Sequence, residues 1–142
     1  MSVNVYFNFN GNTREVVEFY AEVFGIEDPQ IMAFGDVPAD PNHPLPEGTQ
    51  DLVMHANLKI CGSSVMFSDV FPGRPFTHGN NITVAIVHDN VEELQSYFHK
   101  MKAGGTIEME LQETFWSKCY GSLVDKFGIN WQFSYRNEEN PL

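Results

Sequence analysis

The sequence predicts an α+β fold made of two βαβββ modules, an internal duplication, arranged as a curved mixed β-sheet cleft. Two observations predict it. First, each half of the chain opens on a strand pattern and passes directly into an amphipathic helix. Second, the two helices repeat one another at a constant separation of 78 residues. Asn12 corresponds to Asn90, Glu15 to Glu93, Val16 to Leu94, Phe19-Tyr20 to Tyr97-Phe98, and Val23 to Met101. One ungapped offset covering cap, capping box and core stripe is the mark of a duplicated unit.

The elements follow in order. Val3 to Phe9 alternates, with Val5, Phe7 and Phe9 on one face and Asn4, Tyr6, Asn8 and Asn10 on the other. Asn12 is positioned as an N-cap, Glu15 completes a capping box, and Gly25 supplies a C-terminal stop. Val16, Phe19, Tyr20 and Val23 form the buried stripe between them. Strand candidates at Gln30–Phe34, Asp51–Ile60 and Ser64–Ser68 complete the first module. The second module repeats the plan: Ile82–Val87, a helix between Asn90 and Gly104, then Thr106–Leu111, Lys118–Val124 and Ile129–Tyr135. Cys61-Gly62-Ser63 and Asp125-Lys126-Phe127-Gly128 are the turns before the last strand of each half. The expectation is a single domain over 1–142, with module 1 at 1–69, module 2 at 80–136 and a crossover at 70–79. A half of this size is a poor independent folder, so the modules are expected to share a sheet or pack closely. Gly35 to Gly48 holds four prolines and reads as a long loop.

Composition narrows the function classes. The 142 residues include 12 Phe, and 42% are hydrophobic, enough for a substantial core and against disorder. Eight Lys and Arg stand against 19 Asp and Glu, a net charge of −11. No basic cluster is present, which argues against nucleic acid and anionic membrane as partners. No apolar run is long enough to span a bilayer, and Met1-Ser2-Val3-Asn4 shows no secretory signal. Two cysteines outside any CxxC spacing suit a reducing compartment.

Five histidines raise the question of a metal, yet none forms an HxH, HxxxH or HExxH spacing. Solvated or hydrogen-bonded histidines are the plainer reading. His55 is the exception, placed mid-strand on the face of Val53 and Asn57. Neither cysteine has a local activator, no GxSxG elbow occurs, and no glycine-rich dinucleotide loop follows a strand. No catalytic residue can be assigned. A polar-aromatic set is more informative. Glu113, Trp116 and Tyr120 lie between and on the sixth and seventh strands, and Gln132 sits between Trp131 and Phe133. Alternation turns Gln132 away from the helix-packed core, as it does Tyr6 and Asn8. These residues and His55 form the candidate small-molecule binding set: Tyr6, Asn8, His55, Glu113, Trp116, Tyr120 and Gln132. Edge exposure, core packing or an interface are competing roles for the same side chains.

Several stretches resemble the vicinal-oxygen-chelate superfamily, which includes glyoxalase I, extradiol dioxygenases, and fosfomycin- and bleomycin-resistance proteins. They are Tyr6 to Asn12, Glu18 to Gly25, Met54 to Ser63, Gly79 to Ile82, Leu111 to Trp116 and Asp125 to Gln132. The resemblance extends over nearly the whole chain, and within the superfamily the sequence looks like the PhnB-like branch. The resemblance implies the glyoxalase/bleomycin-resistance-like fold, a homodimer, a cytoplasmic setting and a small-molecule ligand. In the metal enzymes of the superfamily, the resemblance puts ligands at Asn4 or Val5, at Ile82 or Thr83, near Phe67 and at Gln132. Those residue types are poor divalent-metal ligands, so no metal or other cofactor is expected. The alternative is a metal-dependent lyase, transferase or dioxygenase with a displaced site using His55, Glu113 and His43. The name 3-demethylubiquinone 3-methyltransferase, also used for this branch, finds no cofactor fingerprint here. A net negative charge favours a neutral or cationic ligand over an anion.

Overall fold

The computed structural model describes residues 1–137. The chain divides into two compact units, Met1–Thr77 and the segment from His78 onward. Each unit holds its own four-stranded mixed sheet and one helix, so the expected α+β duplication is present as two sheets rather than a shared one.

The first unit runs β1 (Val5–Phe9), α1 (Thr13–Phe24), β2 (Gln30–Ala33), a 3-10 turn (Phe34–Asp36), β3 (Val53–Ile60) and β4 (Ser63–Asp69). Its strand order is β1-β4-β3-β2, with β1 parallel to β4 and the other pairs antiparallel. The second unit repeats this as β5 (Thr83–His88), α2 (Val91–Met101), β6 (Thr106–Gln112), β7 (Tyr120–Val124) and β8 (Asn130–Tyr135). The order there is β5-β8-β7-β6, again with one parallel pair, β5 with β8.

Each helix covers one face of its sheet. From α1, Val16, Val17, Tyr20 and Val23 are buried, and the Tyr20 ring lies 5.9 Å from that of Phe67 on β4. From α2, Leu94, Phe98 and Met101 are buried, and Phe98 meets Phe133 of β8 edge to face at 5.4 Å. Phe67, Trp131 and Phe133 are almost wholly enclosed, each burial contributing on the order of 1.5–3 kcal/mol. Gly121 leaves room for this packing, because a Cβ there would fall 3.0 Å from the Phe98 ring.

The duplication is exact in the helices but not in the strands. Phe9 accepts from Val70 N–H as His88 accepts from Arg136 N–H, and Phe7 pairs with Phe67 as Ile86 pairs with Phe133. β1 and β5 therefore correspond at a separation of 79, one more than the helices, and β4 and β8 at 66. One residue fewer lies between β5 and α2 than between β1 and α1.

Two local expectations are corrected. Asn12 occupies the N-cap position of α1, but its side chain makes no capping bond. Asp69, at the end of β4, accepts from Gly11 N–H at 3.0 Å and Thr13 N–H at 3.1 Å through Oδ1, and from Val53 N–H at 2.8 Å through Oδ2. A buried carboxylate from a distant strand thus serves the helix start. Asn90 does cap α2, accepting from Glu93 N–H at 3.0 Å. The second correction concerns His55. Met32 pairs with His55 and Ala33 with Val53, so Met54 is an extra residue in β3. This bulge breaks the alternation, burying Val53 while His55 stays partly exposed. The Cys61-Gly62 turn has positive φ at both residues, 48° and 84°, and closes a two-residue hairpin between Ile60 and Ser63.

Candidate functional site

The sheet faces away from α1 and α2 carry the polar and aromatic groups. In the first unit, Tyr6 and Asn8 project from β1 opposite to Phe7 and Phe9, the latter 4% exposed. Strand register sets Tyr6 beside Met66 and Asn8 beside Ser68. The Ser68 hydroxyl donates to Asn8 Oδ1 at 3.2 Å. His55 reaches back from β3, its Nδ1 3.4 Å from the Tyr6 hydroxyl and the rings 5.9 Å apart. Tyr6, Asn8 and His55 therefore share one open face.

In the second unit Gln132 lies between two enclosed rings, Trp131 and Phe133, and faces the opposite side. The Tyr120 hydroxyl donates to Gln132 Oε1 at 2.8 Å. Trp116 packs edge-on to Tyr120 at 5.2 Å, and Phe115 edge-on to Trp116 at 4.7 Å. Phe115 itself is 96% exposed. The loop carrying this aromatic run is fixed from below. Ser117 is buried, and its hydroxyl meets the carbonyls of Cys119 and Tyr135 at 2.9 and 2.8 Å. Trp116, Tyr120 and Gln132 are thus brought together. Glu113 lies in the same loop, exposed, with no hydrogen bond or ion pair among the described residues.

The last turn depends on one carboxylate the sequence reading passed over. Asp125 Oδ1 accepts from Phe127 N–H at 2.8 Å and Ile129 N–H at 3.0 Å, while Oδ2 accepts from the Trp131 indole at 2.9 Å. It fixes the start of β8, and with it Gln132.

The donor set does not fit a divalent cation. Phe67 is fully buried beneath α1. The register makes Met66, beside Tyr6, the counterpart of Gln132, beside Ala85. A thioether and a neutral amide are weak ligands for hard cations. Gln132 Oε1 already accepts from Tyr120, and His55 Nδ1 faces Tyr6. His43 pairs with Asp40 at 3.1 Å in the proline-rich loop. Among the described residues, no three His, Cys, Asp or Glu side chains converge. Burial pushes the Cys119 thiol upward from its usual range, which suits packing rather than nucleophilic attack.

The sequence model of the 3-demethylubiquinone-9 3-methyltransferase family matches residues 2–134. The chain belongs to this family. Among its relatives, protein YjdN of Escherichia coli (strain K12) is 33% identical over 140 residues, spanning 94% of this chain and 95% of YjdN. Protein PA1353 from Pseudomonas aeruginosa superposes with a TM-score of 0.81 at 28% identity, over 96% of this chain and 98% of its own. The PhnB protein from Bacillus cereus does so at 0.72 and 26%, over 96% and 100%. The fold extends to the fosfomycin resistance protein FosX of Listeria monocytogenes, with a TM-score of 0.62 at 12% identity over 100% and 98% of the two chains. The chain's fold is therefore the one seen in the PhnB protein and in FosX.

Proposed function

We propose that this PhnB-like protein binds a small molecule through the open faces of its sheets, with neutral side chains and aromatic rings rather than a metal ion making the contacts. The observation that carries the proposal is the Trp116–Tyr120–Gln132 arrangement. Two rings set edge to face form an apolar wall, and the Tyr120–Gln132 hydrogen bond fixes an amide at its foot. With Oε1 engaged, the Gln132 amide nitrogen is the group left to contact a ligand. Tyr6, Asn8 and His55 offer a second polar set in the first unit, and Glu113 supplies a charge near the aromatic run.

The exposed apolar residues suit a homodimer. Val5, Tyr6 and Met32 in the first unit, and Ile82 and Val87 in the second, are 37 to 75% exposed, and groups of this kind favour being covered. Two reduced thiols suit a cytoplasmic setting. Methyl transfer, the reaction in the family's name, has less support, since neither sheet carries a strand–glycine-loop–helix cofactor site.

Amide-resonance titration with a set of neutral and cationic aromatic fragments tests the reading. Saturable shifts are expected at Trp116, Tyr120 and Gln132. Gln132→Ala and Trp116→Ala are each expected to weaken them about tenfold while leaving the unfolding midpoint unchanged. Fragments that bind the variants as well as the parent would remove the proposal. Calorimetry with S-adenosylmethionine is expected to show no binding heat, and clear binding would favour the methyltransferase reading.

A further inference from the structure

The first unit carries a second feature, a hollow of about 410 Å³ where β1 and β4 end and the crossover begins. Asn8, Phe34, Asp69, Phe71 and Arg74 contribute to its lining. Phe34 and Phe71 come from segments far apart in sequence, and their rings meet edge to face at 5.5 Å with planes at 73°. Asp69 is the acid of the group and is turned to other work. Both its oxygens accept backbone N–H groups, and the residue is only 6% exposed. Arg74 has no carboxylate within 4.0 Å and no side-chain hydrogen bond among the described residues. Arg74 shares its lack of an ion pair with Arg14 among the described residues, and it is the cationic side chain in the lining of this hollow. Asn8 adds an amide donor, because its Oδ1 already accepts from Ser68.

We infer that this hollow binds a small organic carboxylate with a flat apolar body. The guanidinium and the Asn8 amide are donors, matching an acceptor-only oxyanion. A cationic group would meet the Arg74 guanidinium and an Asp69 carboxylate already engaged by three backbone N–H donors. The Phe34–Phe71 pair offers a ring face and a ring edge for the apolar body. The net charge of −11 favours cationic and neutral ligands overall, but screening confines distant charges, and within the hollow Arg74 is set against an Asp69 carboxylate whose oxygens are taken up by three backbone N–H groups. This site shares Asn8 with the binding face proposed above and uses nothing from the second unit, so the two stand or fall separately.

Sodium benzoate is the probe, followed by backbone amide shifts, with benzylamine and inorganic phosphate in parallel. Benzoate is expected to shift Phe34, Phe71 and Arg74 saturably. Phosphate, which lacks the flat body, binds more weakly, and benzylamine produces no saturable shift. Arg74→Gln weakens benzoate about tenfold, and Arg74→Lys less. Gln132→Ala leaves benzoate binding unchanged. Arg74 is exposed and its side chain has no structural partner, so both substitutions keep the fold. The inference is overturned if benzoate gives no saturable shift, if Arg74→Gln binds it as the parent does, or if benzylamine or phosphate binds equally well.

Discussion

Single residues set the stability of both modules, and two aspartates carry much of it. Asp69 and Asp125 each satisfy three N–H donors: Gly11, Thr13 and Val53 in one case, Phe127, Ile129 and the Trp131 indole in the other. Removing a buried acceptor leaves its donors unpaired, at about 1–3 kcal/mol for each group. Asp69→Ala is therefore expected to lower unfolding free energy by about 3 kcal/mol in denaturant titration, and Asp125→Ala by about 2 kcal/mol, because its Phe127 and Ile129 donors are only part-buried and regain water. A loss under about 0.5 kcal/mol for either would show that the bonds contribute little. The cysteines provide a check on burial. Cys61 is exposed and Cys119 buried, with the latter's thiol pushed up by burial. Ellman's reagent at neutral pH is expected to label Cys61 in the native protein and Cys119 only after unfolding; equal rates would contradict the packing of β7. Asp69 was not legible as a cap, since 56 residues separate it from the Thr13 amide it serves. The Arg74 hollow was hidden for the same reason, because Phe34 and Phe71 meet only after β3 and β4 have paired.

At the scale of elements, the helices were the most legible part of the chain. Burial of Val16, Tyr20 and Val23, and of Leu94, Phe98 and Met101, follows the periodicity directly. The caps were not, because the same residue type at the same position does different things. Asn90→Ala removes a side-chain cap and is expected to cost about 1 kcal/mol. Asn12→Ala removes no such bond, and its expected cost is within about 0.5 kcal/mol. Equal losses in chemical denaturation would refute the assignment of Asp69 as the working cap. The β3 bulge was illegible too. Strict alternation put His55 with Val53, whereas the extra residue Met54 separates them onto different environments. Gln132, in a strand without a bulge, faced the side that alternation predicted.

At the scale of the whole chain, a repeated βαβββ order was visible because cap, stripe and turn residues recur together, and the element order and strand order of the two units repeat accordingly. The separation of β1 and β5 at 79 rather than 78 was not, because a one-residue deletion outside the helices leaves no mark on their periodicity. No helix among the described residues is long and apolar enough to cross a membrane. A homodimer is expected to elute, by light scattering, at twice the 16.1 kDa chain mass; a monomer at all working concentrations would contradict it. In the proposed function, neutral amides, hydroxyls and aromatic rings, not a bound cation, make the ligand contacts. Metal analysis of untagged protein by inductively coupled plasma mass spectrometry tests this most directly. Only trace, substoichiometric metal is expected, and one zinc, nickel, manganese or iron ion per chain would overturn the metal-free reading.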